Sequence, residues 1–141
     1  MKEIVSFINF NGDCRQAVEF YKKCFAAELF LMPYGEAAGD PAWAAKEVKD
    51  RIMHSALMKG SRTVLMAADI MPGTAFHPGS NFSVAIQCEN LAEIESLFAA
   101  LSENGAIEMP LQETFWASSF GMLTDQFGIR WLLNLGKPAA G

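Results

Sequence analysis

The chain is short of the residues that announce a specialised chemistry. Of its 141 residues three are cysteine and two are histidine. Cys14, Cys24 and Cys88 form no CxxC pair and no even, closely spaced framework, so neither a zinc knuckle nor a disulfide scaffold is expected, and the thiols read as reduced. With only His54 and His77, a three-histidine zinc or iron centre is excluded, whereas a carboxylate-dominated site is not. Basic residues are the minority: eleven Lys and Arg stand against sixteen Asp and Glu, a formal charge of −5, which argues against the surface that nucleic acid requires. No apolar run approaches the roughly 20 residues that cross a bilayer. The start, Met1-Lys2-Glu3-Ile4, opens no hydrophobic segment followed by a small-residue cleavage site. The expectation is a cytoplasmic protein that engages neither membrane nor nucleic acid.

What is present is apolar residue, 51% of the chain against 19% charged, enough for one domain with its own core and too little for two ordinary ones. Ile4 to Phe10 is rich in β-branched and aromatic residues and closes on Asn11-Gly12, the pattern of a strand and turn. From Asp13 the period changes: Cys14, Ala17, Val18, Tyr21 and Phe25 form the apolar stripe of a helix on a sheet, with Asp13 and Gln16 resembling a capping box. Extended segments follow at Glu28 to Tyr34, Ile52 to Lys59 and Thr63 to Asp69. The second half repeats the order. Asn81 to Cys88 alternates Phe82, Val84, Ile86 and Cys88 with Ser83, Ala85 and Gln87, as a strand with one buried face does. A helix from Asn90, with Glu93 three residues on, carries Ile94, Leu97, Phe98 and Leu101 and stops at Asn104-Gly105. Ile107 to Glu113, Ser118 to Thr124 and Ile129 to Leu135 are three more strands, the last two joined by the turn Asp125-Gln126-Phe127-Gly128 with Asp125 forming it through its side chain.

A single offset sets Phe10 on Cys88 and Phe20 on Phe98, which points to an internal repeat of one βαβββ unit. The expected organisation is one domain over 1–141, with a first module at 1–70, a connector at 71–80 rich in Pro and Gly, and a second module at 81–136. Within the first module, 33–50 is irregular, a solvated loop or a lid, with about two helical turns expected over Ala42 to Val48. The tail from Lys137 to Gly141 is expected to fray.

Several stretches together resemble the PhnB-like family of the vicinal-oxygen-chelate superfamily, which also holds glyoxalase I, bleomycin-resistance proteins and extradiol dioxygenases. They are Phe10-Asn11-Gly12 running into Ala17-Val18-Glu19-Phe20-Tyr21, Pro33-Tyr34-Gly35-Glu36, Ile52-Met53-His54-Ser55-Ala56-Leu57, Gln112-Glu113-Thr114-Phe115-Trp116, Phe120-Gly121, and Thr124 through Trp131. The helix motif and the D-x-F-G turn are shared across the superfamily, whereas Glu113-Thr114-Phe115-Trp116 points to the narrower family. The resemblance implies an α+β fold of two βαβββ modules whose curved mixed sheets surround a cavity, and a homodimer. Metal-using members hold one divalent cation there through His or Glu on the first and last strands of each module. In this chain those positions fall on Ser6, Met66, Ser83 and Leu132, none of them a good ligand, and a slip of one residue in any strand brings no better one. The expectation is therefore no metal and no cofactor.

The candidate catalytic residues are His54 and Glu113. His54 is either a half-buried histidine giving a ring N–H to a neighbour, or a general acid/base or ligand-orienting donor. Glu113 is either an exposed strand-end carboxylate or a proton-abstracting base raised by burial. His54, Met58, Phe115, Trp116 and Phe120 are the candidate ligand-binding residues, suited to a flat apolar molecule, with Met53, Met66 and Trp131 as further aromatic or thioether surface and core packing as the alternative for each. The function these residues suggest is binding of a small, partly apolar molecule. The alternatives are a metal-independent isomerase or lyase using His54 and Glu113, and a metal-dependent lyase or dioxygenase with atypical ligands. The narrower family also carries a ubiquinone-pathway methyltransferase label. The chain has no Gly-rich turn after a first parallel strand and no G-x-G spacing to support it.

Overall fold

Two four-stranded mixed sheets, each with one helix on one face, make up the computed structural model, which describes residues 1–139. The expectation of a frayed tail lies, for Ala140 and Gly141, outside the described residues. The chain divides into two units, Met1–His77 and Pro78–Gly141.

The first unit runs β1 (Phe7–Phe10), α1 (Cys14–Phe25), β2 (Glu28–Pro33), β3 (Ile52–Lys59) and β4 (Arg62–Asp69), with sheet order β1-β4-β3-β2. The second runs β5 (Val84–Cys88), α2 (Leu91–Leu101), β6 (Ala106–Gln112), β7 (Ala117–Thr124) and β8 (Arg130–Gly136), in the order β5-β8-β7-β6. In each the first strand lies parallel to the last and the remaining pairs are antiparallel. The βαβββ order read from the sequence is therefore the order of the fold.

The repeat is not a single offset. Phe10 and Cys88 both end the first strand of their unit, as expected. The connection after β1 has three residues, Asn11-Gly12-Asp13, and the one after β5 has two, Glu89-Asn90, so the helices fall out of step with the strands by one position. Tyr21, buried in α1, is thus the counterpart of buried Phe98, and Phe20 is only half-buried.

Strand starts also differ from the expectation. Phe82 is 83% exposed and precedes β5, instead of lying on a buried strand face. Val84 already pairs with Trp131, and β8 has only Arg130 left upstream, so the ladder runs out before Phe82.

The start of α1 is held by an unexpected group. Asp13 makes no side-chain cap. Instead the buried carboxylate of Asp69, the last residue of β4, accepts the backbone N–H groups of Gly12 (2.7 Å) and Cys14 (3.1 Å) on Oδ1, and that of Ile52 (2.9 Å) on Oδ2. One tertiary carboxylate does what a local cap does elsewhere, satisfying donors the helix leaves open. At α2 the expected cap is present: Asn90 Oδ1 accepts the N–H of Glu93 (2.8 Å), and Glu93 Oε1 reaches back to the N–H of Glu89 (2.9 Å).

The segment 33–50 is more built than a solvated loop. It holds two short 3₁₀ turns, Tyr34–Glu36 and Pro41–Ala44, in place of the two helical turns expected over 42–48. Tyr34 and Gly35 donate to the carbonyls of Arg51 and Lys49, continuing the β2–β3 pairing, and Val48 is buried. Tyr34 and Trp43 meet edge to face at 5.6 Å.

Register decides which face of each sheet meets its helix. In the first unit Ser55, Leu57, Leu65 and Ala67 are buried on the α1 side, where Cys14 Sγ lies 3.8 Å from Ser55 Oγ. In the second unit Ala117, Ser119 and Leu123 alternate with half-buried neighbours, and Trp131 and Leu133 are buried. Gly121 marks the α2 side, since a Cβ there would stand 2.7 Å from Phe98 Cε2.

Candidate ligand-binding faces

The face of the first sheet turned away from α1 carries a row of four pairing residues. Phe7 in β1 faces Met66 in β4, Met66 faces Ala56 in β3, and Ala56 faces Phe30 in β2. A solvated sheet face alternates toward polar side chains. Here the row is wholly apolar, and its outer members Phe7 and Phe30 are 46% and 50% exposed. His54 lies two residues before Ala56 on the same face, opposite Met32. Its ring is stacked on Phe7 at 6.1 Å and tilted against Phe30 at 6.3 Å. The side chain is half-buried, and its imidazole has no hydrogen-bond partner among the described residues. Met58, two residues after Ala56, is half-buried and pairs with Glu28.

The second group belongs to the other unit. Thr114 and Ala117 close a tight turn, with the Ala117 N–H donating to Thr114 Oγ1 (3.0 Å) and the Thr114 N–H to the Ala117 carbonyl (3.0 Å). This turn holds Phe115 and Trp116 out at 88% and 49% exposure. Phe115 meets Trp116 edge to face at 4.8 Å, and Trp116 meets Phe120 at 5.4 Å. Such offset geometries let the positive edge of one ring meet the negative face of the next. Glu113 is exposed just past the end of β6. His54 and Met58 thus sit on the sheet of the first unit, Phe120 on the sheet of the second, and Glu113, Phe115 and Trp116 in the connection between β6 and β7 of that second unit. Met53 and Met66 are half-buried, whereas Trp131 is core: it is 2% exposed and its indole N–H donates to Asp125 Oδ2 (2.8 Å).

Sequence reasoning missed one polar pair. On the face of the second sheet turned away from α2, Gln87 pairs with Asn134, Asn134 with Phe120, and Phe120 with Gln112. Asn134 Nδ2 donates to Gln87 Oε1 (2.8 Å). Asn134 Oδ1 is buried and has no partner among the described residues. The signal available was a lone Asn in the apolar run from Trp131 to Leu135.

Charge and thiol chemistry lie elsewhere. Glu108 sits below the usual carboxylate range because Thr124 Oγ1 (2.7 Å) and Arg130 donate to it, Arg130 Nη2 at 3.3 Å. Burial, reinforced by the charge of Asp69, pushes the Cys14 thiol up to about 12. Burial and then Glu93 push Cys88 up to about 11.

The resemblance assigns the metal positions of chelating members to Ser6, Met66, Ser83 and Leu132 in this chain. Ser6 and Ser83 precede β1 and β5, Met66 lies in β4 and Leu132 in β8. Among the described residues no group of three or more His, Cys, Asp or Glu is arranged to hold one. These residue types supply neither imidazole nor carboxylate.

Comparison with known proteins places the fold first. A glyoxalase/bleomycin resistance protein/dioxygenase family enzyme from Burkholderia phytofirmans PsJN superposes with a TM-score of 0.62 at 13% identity, covering 94% of this chain and 97% of that one, a likeness of fold alone. The two βαβββ modules are of this glyoxalase/bleomycin-resistance type. A sequence profile described as 3-demethylubiquinone-9 3-methyltransferase matches residues 2–134, and the chain belongs to that family, the PhnB-like branch of the superfamily. It is 33% identical to Protein YjdN of Escherichia coli (strain K12) over 93% of each chain. Protein PA1353 from Pseudomonas aeruginosa is 39% identical, with a TM-score of 0.85 over 98% of this chain and all of that one. The PhnB protein from Bacillus cereus is 26% identical, with a TM-score of 0.72 over 96% and 100%. No helix of the described residues is long and apolar enough to cross a membrane.

Proposed function

We propose that this protein binds a small, partly apolar molecule against the sheet faces turned away from its helices, without the superfamily's metal. The observation that carries this reading is the Phe7-Met66-Ala56-Phe30 row with His54 stacked against its aromatic ends. Apolar area of this kind on a sheet face draws an occupant because removing it from water is favourable, and thioethers adapt to the occupant's shape. Met58, Phe115, Trp116 and Phe120 extend the surface in their own modules. A homodimer is supported by the exposed outer strands, such as β6 with Ile107 53% exposed, which need cover. Cysteines that form no disulfide framework support the cytoplasm.

Native mass spectrometry of gently purified protein, followed by thermal-shift screening of planar heteroaromatics and quinones, tests the reading. A retained compound, or a midpoint raised in the native chain and not in Phe30→Ser, is the expected result. If no compound is retained and none raises the midpoint, the reading is overturned.

A second reading is favoured by one observation. An imidazole without hydrogen-bond partners among the described residues, between two aromatic rings, is available to move a proton of a bound molecule. In this isomerase or lyase reading His54 carries the transfer, and Glu113, exposed in the other module, is the weaker partner. His54→Gln keeps about the same side-chain volume and removes the imidazole, so it abolishes turnover. A metal-dependent lyase or dioxygenase would carry stoichiometric Fe, Ni or Zn when purified without chelator, which elemental analysis reads directly. Methyl transfer, named in the family's description, finds no support in this chain: each parallel pairing joins only the first and last strand of a module, and no Gly-rich turn follows β1 or β5. Saturable binding of S-adenosylmethionine in calorimetry would reverse that conclusion.

A further inference from the structure

Among the described residues, Asn134 Oδ1 is a buried side-chain oxygen with no hydrogen-bond partner. Asn134 stands in β8 between Gln87 of β5 and Phe120 of β7, in one row across the second sheet. Its carboxamide is not free to turn, because Nδ2 is spent on Gln87 Oε1 at 2.8 Å. That bond fixes Oδ1 as the remaining group, a hydrogen-bond acceptor that is buried and unpartnered among the described residues. A buried acceptor left unmade weakens the fold. Beside it lie Phe120 and, in edge-to-face contact with Phe120, the half-exposed Trp116. An acceptor of fixed direction next to apolar aromatic surface is the usual construction of a small-molecule site, where a few polar groups orient a mostly apolar occupant.

We propose that Asn134 and Gln87 are the specificity-determining pair of a ligand site on the second module. Its occupant is a flat, largely apolar, uncharged molecule bearing an N–H or O–H group that donates to Asn134 Oδ1. This rests on the binding reading above and deepens it. Asn134 touches the ligand. Gln87 is a positioning residue, since its Oε1 takes Nδ2 and so leaves Oδ1 as the acceptor. A carboxylate or phosphate ligand is rejected, because an anion brings no donor to Oδ1 and faces a chain of net charge −5.

The test uses two probes of nearly the same shape: indole, which carries an N–H donor, and benzofuran, in which oxygen replaces that group. Each is titrated into isotope-labelled full-length protein and followed by the amide and side-chain NMR signals. The expected result is saturable shifts at Asn134, Gln87 and Trp116, with indole bound about five- to tenfold more tightly, the worth of one hydrogen bond. Asn134→Leu brings the two affinities together. Gln87→Leu, at an exposed position that tolerates change, frees the carboxamide to turn its NH₂ toward the benzofuran oxygen and cuts the preference to about twofold or less. Should Asn134→Leu fail to fold, the Gln87 variant alone decides. Equal affinities in the native chain, or an unchanged preference in Gln87→Leu, overturn the assignment while leaving the binding reading standing. Absence of shifts with both probes on the second sheet also overturns it, and the binding reading falls with it only if the first sheet and the compound screen are silent too.

Discussion

Trp131 donates its indole N–H to Asp125 Oδ2 at 2.8 Å, both side chains buried in the second unit. The other oxygen, Oδ1, accepts the backbone N–H groups of Phe127 (2.8 Å) and Ile129 (3.0 Å). The carboxylate thus makes the turn between β7 and β8 and pins the first core residue of β8 to it.

Asp125→Ala removes the carboxylate to which those three groups donate. The expected loss is about 3 kcal/mol. Trp131→Phe keeps most of the packing and loses one hydrogen bond, for roughly 1–2 kcal/mol. Urea midpoints at constant slope measure both. A loss under about 1 kcal/mol in Asp125→Ala would mean that water replaces the carboxylate.

Asp69 and Asp13 make a matched pair for the first unit. Asp69 holds three backbone N–H groups and is buried, whereas Asp13 makes no cap bond. Asp69→Asn replaces one acceptor with a donor facing donors, and the expected cost is about 2 kcal/mol or more. Asp13→Ala is expected to change stability by less than about 0.5 kcal/mol, against the roughly 1 kcal/mol of a working N-cap. The reverse ranking of the two variants would return the cap to Asp13.

Ala26 ends α1 with φ at 49°, in the left-handed region. A Cβ there costs roughly 1 kcal/mol relative to glycine. Ala26→Gly is therefore expected to stabilise the protein, by up to about 1 kcal/mol, with part of the gain offset by the greater entropy of the unfolded chain. A thermal midpoint that falls in this variant contradicts the assignment of strain.

The thiols give a pH dependence of definite sign. Folding raises Cys14 from an ordinary 9.0 to about 12 and Cys88 to about 11, mainly by burial. The folded state then holds these protons more tightly than the unfolded one. Stability from this source is complete below about pH 9, and it is lost progressively as pH climbs through the raised values. Denaturation midpoints should fall between pH 8 and pH 10.5 and fall less in Cys14→Ala. At pH 8 neither Cys14 nor Cys88 should react with a thiol reagent until the chain is unfolded, because the thiolate is the reactive form.

The sequence made the architecture legible because period and turn chemistry are local. Both helices show in their apolar spacing, and β3 shows to the residue from Ile52 to Lys59. The misses were tertiary. Asp13 has a cap residue's side chain, yet a carboxylate 55 positions away from Cys14 takes the bond. Phe82 fits an alternating strand, but the ladder ends before it. Asn104-Gly105 was a stop signal, and the division of labour within it was hidden: Asn104 takes the left-handed turn at φ 57°, while Gly105 permits close approach, since a Cβ there would collide with the Thr124 carbonyl. Among the candidate site residues, His54 could be singled out by type and its two ring neighbours could not, since Phe7 and Phe30 lie 47 and 24 residues from it along the chain. Asn134 escaped because nothing in a run of residues tells which of its two amide ends will be taken.

The carboxylate of Asp69 also sets an order of events during synthesis. It closes contacts with Gly12 and Cys14 across 57 and 55 positions of chain. Until the ribosome has released that aspartate, the first turn of α1 lacks its acceptor, and the nascent segment from Gly12 onward can hold a helix there only by local propensity, which is marginal at this length. Completion of the first half therefore waits on its last strand, and a translational pause placed before residue 69 would leave that half open to proteases, whereas one placed after it had cleared the exit tunnel would not.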